Sequence, residues 1–188
     1  MDIVLASGSP RRKELLETLG LEFTICPAKG EECPPQGMGP DETVKALSLA
    51  KAREVAQVYP EALIIAADTI VWADSRILGK PRSEAQAEEM LALLSGSSHE
   101  VYTGVTLICG EKTVCRSECT KVFFRDLSES EIRAYVKTGE PMDKAGAYGI
   151  QGRAAMMVRR IEGDYFNVMG LPLCALGQML EQIGVQLF

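Results

Sequence analysis

The chain is poor in histidine, with His99 alone among 188 residues. That scarcity disfavours a Ser/His/Asp or Cys/His nucleophilic centre, since each needs an imidazole in a defined constellation. Six cysteines are present, but no two stand as Cys-x-x-Cys, so a structural zinc site is also disfavoured. Neither a Gly-x-x-x-x-Gly-Lys-Ser/Thr phosphate loop nor a Gly-x-Ser-x-Gly elbow occurs. No apolar run approaches the roughly 20 residues of a membrane helix, and no basic stretch with an apolar core precedes the first strand. An excess of positive charge is missing too. The net charge of -6 argues against a nucleic-acid polymer or a membrane surface as partner. The expectation is a cytoplasmic protein whose cysteines are mostly reduced and buried.

What is present suits a folded core: 46% of residues are hydrophobic and 24% charged. That fits one domain over residues 1–188, or one domain drawn into two lobes. The stretch from Ile3 to Gly20 reads as a short buried strand, a Ser-Gly-Ser-Pro turn and a helix with Ser9 as N-cap, Pro10 at its first position and Gly20 as stop. Arg11 and Arg12 fall in the first helical turn, where the helix dipole disfavours cations. Two readings stand level here: an ordinary capped helix with solvated arginines, or a phosphate site built from helix N–H groups and guanidiniums.

Further along, Leu21 to Cys26 reads as a strand and Pro27 to Pro40 as a Gly/Pro-rich loop holding Glu31 and Glu32. A helix follows from Asp41 to Tyr59, with Asp41 as cap. Lys51 lies on its apolar face, either running its stem to water, the commoner outcome, or bordering a polar pocket. Ala62 to Ala73 has the continuous apolar character of a central strand, interrupted by Asp68 and Thr69. A carboxylate buried there needs a metal, a cation or a donor network; the alternative is a turn at Asp68.

Ile77 to Pro81 carries Lys80 back along the chain, and Ser83 opens a helix with Gln86 in capping-box position. His99 to Arg125 reads as extended segments; His99 has the chemistry of an acid or a ligand, but its place at a loop-to-strand boundary favours a positional hydrogen-bonder. Asp126 to Gly139 reads as a helix with Ser128 and Glu131 three apart. Met142 to Gly152 is a glycine-rich loop holding Lys144, Tyr148 and Gln151, Ala154 to Ile161 a strand, Glu162 to Gly170 a turn region, and Pro172 to Ile183 a last helix.

The anomalies share one theme. Arg11, Arg12, Lys51, Lys80 and Lys144 suit phosphates, while Glu32 and Asp68 suit a hard divalent ion. Mg²⁺ takes one or two protein carboxylates together with substrate oxygens and water. A neighbouring carboxylate can deprotonate an attacking water.

The blocks LASGSPRRKELL from Leu5, the acidic pair Glu31-Glu32, the Lys51 helix, AADTIV from Ala66, LGKP from Leu78, HEVYTGV from His99, and DKAGAYGIQG through GDYFNVMGLPL together span almost the whole chain. In this order they resemble the Maf proteins, a family of cytosolic nucleoside triphosphate pyrophosphatases. The departures are small: Met169 where valine is usual, and Cys33 after the acidic pair. The resemblance implies an α/β fold with an elongated mixed sheet flanked by helices, two lobes around a central cleft, related to the inosine triphosphate pyrophosphatase fold. It implies hydrolysis of a nucleoside triphosphate to monophosphate and pyrophosphate with Mg²⁺ or Mn²⁺, roles in nucleotide-pool sanitation or cell-division control, and a homodimer.

Carried onto this sequence, the family pattern makes Asp68 the proton acceptor and a metal ligand, with Glu32, or Glu31 beside it, as the second ligand. Ser7, Arg11, Arg12, Lys51 and Lys80 surround the triphosphate. The KAGAYGIQG block resembles the branch acting on dTTP and UTP, with Arg11, Thr69 and Gln151 tied to base choice. A non-catalytic nucleotide-binding regulator of cell division and a modified-purine triphosphatase are the rival readings.

Overall fold

The computed structural model describes residues 1–30 and 37–187. The chain runs β1 (Ile3–Leu5), α1 (Pro10–Glu17), β2 (Thr24–Ile25), α2 (Pro40–Val58), β3 (Leu63–Ala73), β4 (Arg76–Leu78) and α3 (Glu84–Leu94). It continues with β5 (Ser98–Cys109), β6 (Lys112–Phe124), α4 (Glu129–Val136), β7 (Val158–Glu162), α5 (Tyr165–Met169) and α6 (Leu173–Ile183). Three short 3₁₀ turns lie between α4 and β7.

Seven strands form one mixed sheet in the order β2-β1-β3-β5-β6-β7, with β4 paired to β3. β1 pairs in parallel with β2 and with β3, whereas β3–β4 and β6–β7 are antiparallel. The expected mixed α/β fold with helices flanking its sheet is therefore present.

The chain divides into two compact units. One holds Met1–Asp68, Thr103–Glu118 and the stretch from Gly170 onward; the other holds Thr69–Tyr102 and Cys119–Met169. β3, β5 and β6 each begin in one unit and end in the other.

In the first unit the core follows the alternation of β1 and β3. Val4, Ala6, Ile64 and Ala66 share a buried cluster with Ala52 and Val55 of α2. Leu5, Leu63 and Ile65, of opposite parity, are fully buried as well. A strand covered on both faces has no use for polar alternation, which is why β3 reads as an almost continuous apolar run. Each such Leu or Ile contributes roughly 1.5–3 kcal/mol of burial. Gly104 on β5 permits a close helix-to-sheet approach, because a Cβ there would run into the Val44 carbonyl and the Lys45 amide of α2.

In the second unit, Ala87, Met90, Leu91 and Leu94 of α3 and Ile132, Tyr135 and Val136 of α4 are buried. Ser83 and Ser128 cap these helices as expected, the latter in a full capping box with Glu131.

Several sequence expectations are corrected. The α2 cap is Gly39, with Pro40 at the first position and Asp41 inside the first turn. Asp41 is held instead by Lys45 at 2.6 Å and by the Ser117 hydroxyl. The expected Leu21–Cys26 strand shrinks to Thr24–Ile25. Residues expected to begin a strand at Ala154 form the 3₁₀ turn Arg153–Met156, and the Glu162–Gly170 turn contains α5. In each case local hydrogen bonding decides a boundary that hydrophobic periodicity leaves loose.

Gly104→Ala is expected to cost about 1–3 kcal/mol, since backbone atoms of α2 have to retreat. Urea denaturation measures it; an unchanged midpoint would show that α2 gives way freely.

Candidate functional site

Parity places Asp68. It follows Ile64 and Ala66 on the β3 face that packs against α2, so its carboxylate points toward that helix rather than into a turn. Lys51, adjacent to the buried Ala52, meets it there: Nζ donates to Asp68 Oδ1 at 2.5 Å, with side chains 15% and 7% exposed. The commoner expectation, a lysine snorkelling to water, is overturned, because a buried carboxylate within reach offers its ammonium a partner. The turn alternative for Asp68 is likewise overturned, as β3 continues to Ala73. Burying both charges costs solvation that their attraction and hydrogen bonding must offset.

The parallel register Leu5↔Ile65, extended by the Ala6 amide on the Ile65 carbonyl, carries the chain after β1 along the same end of β3 that bears Asp68. Ser7 is buried here, and its Oγ accepts from the Ser9 amide and from Arg12 Nη1, both at 3.2 Å. Arg12 Nε also donates to the Gly170 carbonyl at 2.7 Å. Ser9 occupies the α1 cap position but makes no side-chain cap, and no acidic residue stands in the first turn. The start of α1 thus presents backbone N–H groups and the half-buried Arg11 and Arg12, a combination suited to an anion.

The first unit therefore pairs Ser7 with Arg12 and Lys51 with Asp68, and carries Arg11 beside Arg12 at the start of α1. Glu32, its neighbour Glu31, and Cys33 lie outside the described residues. The remaining expected residues belong to the second unit. Thr69 follows Asp68 along β3, Lys80 is exposed in the segment after β4, and Gln151 is exposed in the glycine-rich loop. Gly79, next to Lys80, is tied to that loop: the Gly146 amide donates to the Gly79 carbonyl at 3.1 Å, and Gly146, with φ +68°, packs against Val71. Lys144 is engaged within its own loop. Its ammonium donates to Asp143 Oδ1 at 2.6 Å and to the Glu140 carbonyl at 2.7 Å, tying the loop to itself.

His99 fulfils the expectation of a positional hydrogen-bonder. It is 2% exposed, sits edge-on to Phe124 and Tyr148, and shares a 2.7 Å hydrogen bond between Nε2 and the Tyr148 hydroxyl. Burial pulls its imidazole down to about 4, so it is neutral at physiological pH.

Sequence reasoning did not single out the Gly170 carbonyl that holds Arg12, or Asn167, which is buried and donates to the Val101 carbonyl and to Thr120 Oγ1, each at 3.0 Å. A backbone acceptor has no side-chain signature. The available signal was glycine before Leu-Pro, which the structure uses at φ +110°.

A sequence profile described as "Maf-like protein" matches residues 2–183. The chain belongs to the Maf-like protein family. Among curated relatives, a "dTTP/UTP pyrophosphatase" of Bacillus cytotoxicus is 52% identical over 179 residues, covering 95% of this chain and 94% of the relative. One of Bacillus cereus with the same name is 51% identical over 183 residues, covering 97% and 96%. The fold of this Maf-like chain is also similar to solved Ham1 proteins. That of Staphylococcus aureus matches with a TM-score of 0.53 at 13% identity, over 97% of this chain and all of its own. That of Coxiella burnetii matches at 0.51 with 17% identity, over 97% and 99%. These two likenesses bear on the fold alone.

The His99 shift fixes the sign of a pH dependence. Between pH 6.5 and 4 the unfolded chain binds a proton that the folded imidazole refuses, so stability falls as pH drops through that window. The effect at pH 5 is about 2 kcal/mol relative to pH 7. His99→Gln, which does not titrate, is expected to lose less stability over this interval by that amount in urea titrations. Equal losses in both proteins would remove His99 as the source.

Proposed function

We propose that this chain hydrolyses dTTP and UTP to the nucleoside monophosphate and pyrophosphate. The observation that carries the reading is the buried Lys51–Asp68 pair on the same strand ends as the arginine-bearing start of α1. The names of relatives 51–52% identical support the substrate class. Asp68 accepts the proton of the attacking water as its oxygen bonds to the α-phosphorus. The bond from that phosphorus to the bridging oxygen breaks, and pyrophosphate leaves with the electron pair.

Lys51 has an exchangeable role in this scheme. Arriving phosphate oxygens compete for its ammonium, which releases the Asp68 oxygen it held. Arg11, Arg12, Ser7 and Lys80 bind the triphosphate, where guanidiniums and ammoniums stabilise charge on the transferring and departing groups. Arg11, Thr69 and Gln151 recognise the base, and an amide suits the mixed donor and acceptor edge of a pyrimidine.

A Mg²⁺ or Mn²⁺ ion belongs to the proposal, and Asp68 and Glu32 would hold it. Asp68 fits it, as a hard oxygen donor paired with the Lys51 ammonium, and Mg²⁺ needs few protein carboxylates when phosphates and water complete its shell. Among the described residues no three His, Cys, Asp or Glu cluster together. When bound, the ion neutralises phosphate charge and acidifies water. The reading also includes a single functional domain, a cytoplasmic homodimer, and a role in nucleotide-pool sanitation or cell-division control. Among the described residues no helix is long and apolar enough to cross a membrane.

With dTTP or UTP and Mg²⁺ or Mn²⁺, chromatography is expected to find monophosphate and pyrophosphate. Diphosphate and orthophosphate would overturn the bond assignment, and tight binding without turnover would support a non-catalytic regulator. Competition with ITP and 7-methyl-GTP tests the purine alternative. Asp68→Asn is expected to lower kcat by about 10²- to 10⁴-fold with circular dichroism unchanged; near-normal turnover would eliminate Asp68 as the base.

A further inference from the structure

Gln151 occupies the third position of a four-residue turn, closed by the Gly152 amide donating to the Gly149 carbonyl at 3.0 Å. The far end of this turn is held by a hydrogen-bonded bridge. The Tyr135 hydroxyl donates to Glu140 Oε1 at 2.9 Å. The other oxygen, Glu140 Oε2, accepts from the Arg153 amide at 3.2 Å. Two hydrogen bonds thus run from Tyr135 to the residue that directly follows the turn, two positions after Gln151.

The two glycines flanking Ile150 and Gln151 serve this arrangement by being bare. A Cβ on Gly152 would collide with the Glu140 carboxylate. One on Gly149 would stand 2.6 and 2.8 Å from the Lys144 side-chain carbons Cε and Cδ. Neither glycine has the left-handed backbone that would explain it on conformational grounds. Their common requirement is close approach by the side chains that grip the turn.

The grip is anchored to a firm element. Tyr135 lies on α4, whose start carries a capping box and whose Glu131 is paired with Arg125 at 2.7 Å. Gly139, at φ +75°, turns the chain after α4 so that Glu140 follows directly. Ile132 and Val136 already give α4 its buried face. Tyr135 shares that face, and its hydroxyl, paired with Glu140, fixes where the turn sits.

We infer that Tyr135 and Glu140 are positioning residues that aim Gln151 and thereby set base discrimination, an inference resting on the proposed role of Gln151. Neither touches the base itself. They act by removing the freedom of a surface turn that would otherwise sample several orientations, so that the amide meets the pyrimidine edge without an ordering cost.

The test compares Tyr135→Phe, Glu140→Ala, Glu140→Gln, Gln151→Ala and the double variant Tyr135→Phe/Gln151→Ala. Kinetics are measured with dTTP and ITP, and hydrogen exchange is followed over residues 149–153. Tyr135→Phe and Glu140→Ala are each expected to raise KM for dTTP about 3- to 10-fold, the equivalent of one hydrogen bond, with kcat little changed and exchange accelerated. Glu140→Gln, which keeps an acceptor, is expected to recover most of the loss. In the double variant Tyr135→Phe is expected to add nothing to the loss of discrimination caused by Gln151→Ala. Additive effects would overturn the inference, as would unchanged exchange, or an unchanged dTTP-to-ITP ratio in variants of Tyr135 and Glu140 while Gln151→Ala shifts it. If Gln151→Ala leaves that ratio unchanged, the base-recognition reading itself fails and takes this inference with it.

Discussion

The ion pair between Lys51 and Asp68 is the constraint on which the first unit depends. Both groups are largely withdrawn from water, and a pair in that position contributes little net stability compared with apolar side chains of similar size. Its cost is accepted by a strand otherwise built from Leu, Ile, Ala and Val, and by a 19-residue helix whose neighbouring Ala52 and Val55 are core. The bare Gly104 lets α2 approach the sheet. The pairing therefore links the proposed chemistry to the packing: what holds the helix close also brings an ammonium to the carboxylate.

The arginine-bearing helix start shows the same economy of parts. Arg12 is held from two sides, by Ser7 beyond β1 and by the Gly170 carbonyl from the other end of the chain. A guanidinium so restrained gives up side-chain freedom before any ligand arrives, and its planar fork suits phosphate oxygens. Gly170 needs its positive φ to turn that carbonyl, so a backbone conformation far along the sequence supports a side chain near its beginning.

In the second unit, rigidity is built from small polar networks. Tyr148 meets His99 and Phe124 in a buried aromatic group, Lys144 is tied to its own loop, and Tyr135 with Glu140 holds the end of the turn of Gln151. A glycine-rich segment is thereby a defined surface rather than a loose connection. Its glycines serve different ends: Gly146 for a left-handed conformation, Gly149 and Gly152 for close approach.

The sequence by itself determined much. Continuous apolar character marked β3 as a covered strand, Ser83 and Ser128 announced their helices, and the oddity of Asp68 in β3 and of two arginines in a first helical turn pointed to charge chemistry. These are local signals, carried by side-chain periodicity, capping and helix dipoles. It left undecided whether Lys51 reaches water or a carboxylate, whether β3 passes through Asp68, and what Lys144 meets. Only the tertiary structure decided these, because each depends on a partner distant in the chain or on a backbone carbonyl that leaves no mark in the pattern. Lys51 needs the face of β3 seventeen residues away, and Arg12 needs Gly170. Periodicity states which face of an element is buried; packing alone states what that face meets.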